Sequence, residues 1–294
     1  MRETDRIIDG CAQEMIECLR EIIRIPSVKE QPAPGAPFGR NINKALEYTL
    51  SLCRRLGFET ANVDGYAGYA QFPGQKEEQL GILCHLDVVP AGEGWLHPPY
   101  EGVYENGVIY GRGAVDDKGP AISAIYALAA LKRAGAAFRR TPRIIFGCDE
   151  ESGWECMDYY ASKIGMPEMG FSPDADYPII NTEKGIYHAQ LKKKISRGEN
   201  YSISIHGGTR ANVVPDCAQA YIKGNTAPLI EKLNDYDCSE NNLSYIVKEG
   251  ALEITAKGIS AHASQPAQGQ NAFFSLLELL DKLSLGGEEG HIIQ

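Results

Sequence analysis

The stretch Leu80 to Pro90, LGILCHLDVVP, constrains the fold most strongly. An apolar run ends in His85 and Asp87, two residues apart. In a strand, side chains alternate faces, so residues i and i+2 leave on one side. Open α/β sheets place their ligands at the carboxyl ends of strands, where this pair falls. A histidine ligates metals well, and a nearby carboxylate can fix the orientation of its ring. Taken alone, the pair reads more readily as a solvated strand exit.

Three more acidic segments follow. In YGRGAVDDKGP, Asp116 and Asp117 precede the helical pattern AISAIYALAALKRAG, which Gly135 stops. Either aspartate could be a helix N-cap, where carboxylates are favoured. In PRIIFGCDEESGW, an apolar strand runs into Asp149, Glu150 and Glu151. Three acids beside a core repel one another unless cations neutralise them. In GFSPDADYP, Asp174 and Asp176 lie between two prolines, in a rigid loop. Together the four segments offer one histidine and at least seven carboxylates. Two metal ions held close together need such a set, with one carboxylate bridging them. Histidine with carboxylates suits zinc or manganese, and the chain has no pair of CxxC motifs for a structural zinc.

In this order, HLDVVP, GRGAVDDKGP, DEESG and SPDADYP resemble the dinuclear metallopeptidases that include aminoacylase, carboxypeptidase G and the bacterial dipeptidases. The likeness is greatest to dipeptidase V and its manganese-dependent relatives. It runs from the N-terminal helix to GISAHASQPAQGQNA. The resemblance implies His85, Asp116 and Asp174 on a first metal, with Asp116 bridging and Glu151 on a second. It implies Asp87 as the residue that orients the site and Glu150 as the general base. It also implies a cis peptide between Asp116 and Asp117. Asn212 in GGTRANVVPD and His262 in GISAHAS correspond to substrate-pocket residues, with His262 near the oxyanion. Two divalent ions are implied, zinc or else manganese or cobalt.

The implied fold is α/β, a zinc-peptidase-like mixed sheet with helices on both faces, plus an inserted α+β lid. The lid is expected to be incomplete. The expected division is 1–187 for the metal-binding domain and 188–294 for part of the lid. Members of the family run well past this length and carry a further histidine for the second metal. The chain therefore reads as an N-terminal portion of such an enzyme. The implied reaction is hydrolysis of a dipeptide by a metal-bound water, with Glu150 as base. Two alternatives stay open: an N-acyl amino acid deacylase or carboxypeptidase, and an inactive metal-binding remnant.

Composition bears on partners and compartment. A net charge of −10 argues against nucleic acid or an anionic membrane as partner. The longest apolar run, Ala121 to Leu131, is too short to span a bilayer. Eight cysteines without paired spacing read as reduced thiols, mostly buried. The start, MRETDRIIDG, lacks the apolar core of a signal peptide. A cytoplasmic protein acting on small peptides is the expectation.

Overall fold

A computed structural model describes residues 3–92, 94–175, 180–182, 185, 187, 189–190, 201–208, 210–239, 242–283 and 285. The chain forms two compact units, Met1–Asn181 and Thr182–Gln294.

The first unit opens with helices α1 (Glu3–Ile23) and α2 (Arg40–Arg55). Strands β1 (Glu59–Val63), β2 (Ala67–Gln71) and β3 (Lys76–His85) follow, then the hairpin β4 (Val103–Glu105) and β5 (Val108–Tyr110). Helix α3 (Lys118–Arg133), strand β6 (Arg140–Gly147), helix α4 (Glu155–Lys163) and strand β7 (Met169–Phe171) complete it. The central sheet has the order β1-β2-β6-β3-β7. The β1–β2 and β2–β6 pairs are antiparallel, while β6–β3 and β3–β7 are parallel. The sheet is therefore mixed, as expected. Two of its strands are apolar where they lie deepest. In β6, Ile144, Ile145 and Phe146 are all buried, the pattern of a strand covered on both faces. The α2 residues Leu46, Leu50 and Cys53 recur at helical spacing and enter the same core as Ala67, Ala70 and Phe72.

The parallel β6–β3–β7 arrangement brings three chain segments out at one edge of the sheet. Past β3 lie His85 and Asp87, past β6 lie Asp149 to Glu151, and past β7 lies Asp174.

The second unit contains β8 (Tyr201–Gly207), β9 (Cys217–Gly224), α5 (Ala227–Asn234), β10 (Leu243–Lys248), β11 (Ala251–Lys257) and α6 (Ala272–Lys282). Its sheet, β10-β11-β9-β8, is antiparallel throughout. Alternate residues Ala218, Ala220 and Ile222 of β9, and Leu252, Ile254 and Ala256 of β11, are buried. They share a core with Leu229 and Leu233 of α5 and Leu276 and Leu279 of α6. Period two in the strands meets period three to four in the helices, so one face of the sheet carries the core. Asn271 caps α6, its side chain accepting from the amides of Phe273 and Phe274.

No helix among the described residues is long and apolar enough to cross a membrane. All eight cysteines are free. Five are buried, Cys11 and Cys238 are partly so, and Cys217 is exposed.

Candidate metal centre

His85 is the last residue of β3 and is 2% exposed. Its Nε2 lies 2.9 Å from Asp116 Oδ1, 3.3 Å from Asp174 Oδ2 and 4.0 Å from Glu150 Oε2. Two donor sets converge on it, each with ligand atoms within 4.8 Å of one another: His85 with Asp116 and Asp174, and His85 with Glu150 and Glu151.

Each donor has its own support. Asp116 sits in the turn before α3. Gly113 in that turn has a φ of 85°, and a Cβ on Gly119 would overlap the Ala114 carbonyl oxygen, so both positions need glycine. The Asp116–Asp117 peptide is cis. Asp117 stands at the N-cap position of α3 but makes no side-chain cap bond. Its Oδ2 instead accepts the backbone N–H of His85 at 2.9 Å. The paired aspartates thus face the histidine strand rather than the helix. Lys118, fully buried, donates to the carbonyls of Ile22 and Ile25 and ties this turn to the end of α1. Asp174 is placed by Ser172, whose hydroxyl donates to Leu83 O on β3 and accepts from the Asp174 amide. Asp176, the other acid of that motif, lies outside the described residues.

Asp87 works through both its carbonyl and its carboxylate. It lies past the end of β3 and is buried. His85 Nδ1 donates to the Asp87 carbonyl at 2.9 Å, while the carboxylate stands 3.5 Å away. The backbone, more than the carboxylate, orients the ring. The carboxylate instead accepts the amides of Glu150 and Glu151, at 3.1 and 3.0 Å. Asp87 therefore joins the histidine to the glutamate loop.

The electrostatics follow from this crowding. Burial pushes Glu151 up to about 7, and Asp116 and Glu150 add to the shift. Burial also raises Glu150, against the pull of His85. Asp117 stands at about 7, chiefly through burial. Asp116 is held low by its hydrogen bond to His85. Burial alone would lower His85, but its bonds to Asp116, Asp174 and Asp87 outweigh that and hold it well above the imidazole range.

A divalent cation suits this set. With metal–ligand distances of about 2.1 Å, tetrahedral donors lie roughly 3.4 Å apart, close to the separations around His85 Nε2. The carboxylates that burial and mutual repulsion drive toward neutrality are those a cation would hold ionised. His85 has its Nδ1 committed to Asp87 O, so only Nε2 is left for a metal.

Asn212 and His262 meet in the second unit. Ala263 N donates to Asn212 O at 2.8 Å, and Val213 bridges His262. Both side chains are exposed. Ser264 lies against His262 Nδ1 through both its hydroxyl, at 2.7 Å, and its amide, at 3.2 Å. His206 contacts Ser204, and His188 and His291 lie outside the described residues. Sequence reasoning missed Lys29, whose Nζ lies 2.7 Å from Asp149 Oδ1. No motif marks it.

The chain is similar to known proteins. The description "Peptidase family M20/M25/M40" matches residues 81–272. "Putative dipeptidase YtjP" of Bacillus subtilis is 38% identical over 290 residues, covering 96% of this chain and 62% of that protein. A "Putative dipeptidase" of Staphylococcus epidermidis is 37% identical over 283 residues, covering 92% of this chain and 60% of its own length. The chain thus spans about three fifths of the length of these relatives. Human carnosine dipeptidase 1 has a similar fold, with a TM-score of 0.51 and 24% identity over 60% of this chain and 42% of that one. With the family match spanning all four acidic motifs and the core of the sheet, the chain belongs to the M20/M25/M40 peptidase family.

Proposed function

We propose that the chain carries the catalytic half-site of a metal-dependent dipeptidase. The observation that supports this best is the convergence of His85, Asp116, Asp174, Glu150 and Glu151 at one end of the parallel strands. The relatives named as dipeptidases favour this reading over a deacylase or carboxypeptidase.

His85, Asp116 and Asp174 would hold a first ion, and Asp116 with Glu151 would hold a second. Bound divalent ions supply Lewis acidity and lower the pKa of water toward neutrality. Glu150 takes a proton from the attacking water and passes it to the leaving amine. Its raised affinity for protons suits that exchange. Asp87 keeps the Glu150 backbone in place and fixes the His85 ring through its carbonyl. Asn212 and His262 of the second unit are proposed as substrate-binding residues on the strength of the motif resemblance alone. Residues 1–187 form the catalytic part and 188–294 the lid part of this arrangement. A cytoplasmic location belongs to the same reading, supported by eight free cysteines.

The test is turnover of a panel of dipeptides and N-acetyl amino acids, before and after metal removal by a chelator. Metal-dependent cleavage of dipeptides is expected of a form of the protein that turns over. Cleavage of N-acetyl amino acids alone would shift the reading to a deacylase, and activity that survives the chelator would overturn it.

A further inference from the structure

Asp149 is the member of the Asp149–Glu150–Glu151 run that turns inward. Its side chain is 1% exposed, and it joins neither donor set around His85. Its carboxylate accepts from Lys29 Nζ at 2.7 Å, from the Ser152 hydroxyl and from the amide of Glu155 at 3.2 Å. Its carbonyl accepts from the amides of Gly153 and Trp154. Asp149 therefore gathers the whole turn that leads from β6 into α4.

Lys29 is held from the other side. It follows Ser27, whose hydroxyl donates to Leu86 O at 2.7 Å and whose carbonyl accepts the Val88 amide at 3.0 Å. Leu86 and Val88 flank Asp87, so the segment carrying Lys29 is laced to the same stretch that carries His85 and Asp87. Phe38 lies beneath the ammonium, with its ring centroid 5.2 Å away. The glutamate turn is thus fixed at two points. Asp87 grips the amides of Glu150 and Glu151, and Lys29 grips Asp149 immediately before them.

We infer that the Lys29–Asp149 ion pair is a positioning device that sets where Glu150 and Glu151 meet the metal centre. The inference rests on the proposed metal role of that centre. Asp149 is nearly fully buried, so removing Lys29 leaves its charge with only the neutral Ser152 hydroxyl and Glu155 amide as partners and drives the turn to relax. The two glutamates are the next residues along the chain, so they move with it. Outer partners that orient metal-binding groups typically change metal affinity or activity by about 10- to 100-fold when lost.

The experiment uses the full chain with Lys29→Met and Lys29→Arg. Lys29 is 44% exposed, so these changes leave the core intact. Amide hydrogen exchange at Glu150 and Glu151 is measured without metal, and zinc affinity is measured by competition with a chromophoric chelator. Lys29→Met is expected to speed exchange at both amides and to weaken binding of the second zinc by about tenfold or more. Lys29→Arg should restore most of both, since it keeps the charge. A lower melting temperature in Lys29→Met with wild-type zinc affinity would reduce the pair to a structural contact and overturn the inference. So would unchanged amide exchange. A wild-type chain that binds no zinc would instead overturn the metal reading itself, together with the link to it.

Discussion

The two acidic groups around His85 are built in different ways. Asp116 and Asp174 come from separate segments, each with its own anchor: the glycine-bounded turn before α3, and Ser172 after β7. Glu150 and Glu151 are neighbours on a single turn, held by Asp87 and by Asp149. Separate anchors make the first group tolerant of a local disturbance. A shared turn makes the second group fail as a unit. The histidine deepens the contrast. With Nδ1 given to Asp87 O and Nε2 nearest to Asp116 and Asp174, it serves the first group. The second is then left with carboxylates among the described residues.

Substitution of the two glutamates separates their roles most sharply. Glu150→Gln, in a form of the protein that turns over, should lose roughly 100-fold or more of its rate while still binding metal. Glu151→Gln should instead lower occupancy of the second ion. Steady-state kinetics beside elemental analysis decides this. If Glu150→Gln strips the metal and Glu151→Gln does not, the roles are exchanged.

A smaller effect is expected at the joint between the groups. Asp87→Asn keeps one acceptor oxygen but loses the charge that both amides share. Metal affinity should fall by about 10- to 100-fold, with the second ion losing more than the first. An equal loss at both would show that the two groups are not supported separately.

Acid should also act unequally. Glu151 is held at about 7, so protons compete with metal there once the pH drops below that value. The second ion should lose about tenfold in affinity per pH unit below about 7. Asp116, held low, stays ionised over that range, whereas His85, held protonated well above the imidazole range, must give up its proton to the first ion at every pH within it. Isothermal titration at several pH values should therefore show a break near pH 7 for the second ion alone, and no break there would contradict the raised Glu151 value.

The smallest effect is on the stability of the metal-free chain. A carboxyl raised from 4.5 to about 7 favours the folded state while protonated. That contribution is complete below about pH 4.5 and is lost as the pH rises through about 7. Wild type should therefore lose stability relative to Glu151→Gln between about pH 5 and about pH 8 in chelator. Urea denaturation of both chains at each pH measures the difference, and a constant gap would contradict the raised value.

The same contrast explains what the sequence made legible. Position along the chain marked the clusters at His85–Asp87, Asp116–Asp117 and Asp149–Glu151, and the motif resemblance picked out His85, Asp116, Glu150 and Asp174 within the four motifs. Strand β3 runs from Lys76, earlier than its apolar stretch, because its first residues are charged and exposed. Strands β1 and β7 and the β4–β5 hairpin gave no signal, since they are short and largely exposed. Asp149 looked equivalent to the two glutamates after it. Only the fold reveals that it turns toward Lys29, 120 residues distant in sequence. The carbonyl of Asp87 was equally hidden, because side-chain chemistry says nothing about where a backbone acceptor will stand.

The central claim is that His85 belongs to one ion and leaves the other weakly held. Titration of the purified metal-free chain with zinc, followed by elemental analysis after dialysis, tests it most directly. One zinc should be retained per chain, with a second binding at least about tenfold more weakly. Two equally tight ions, or none, would contradict the account.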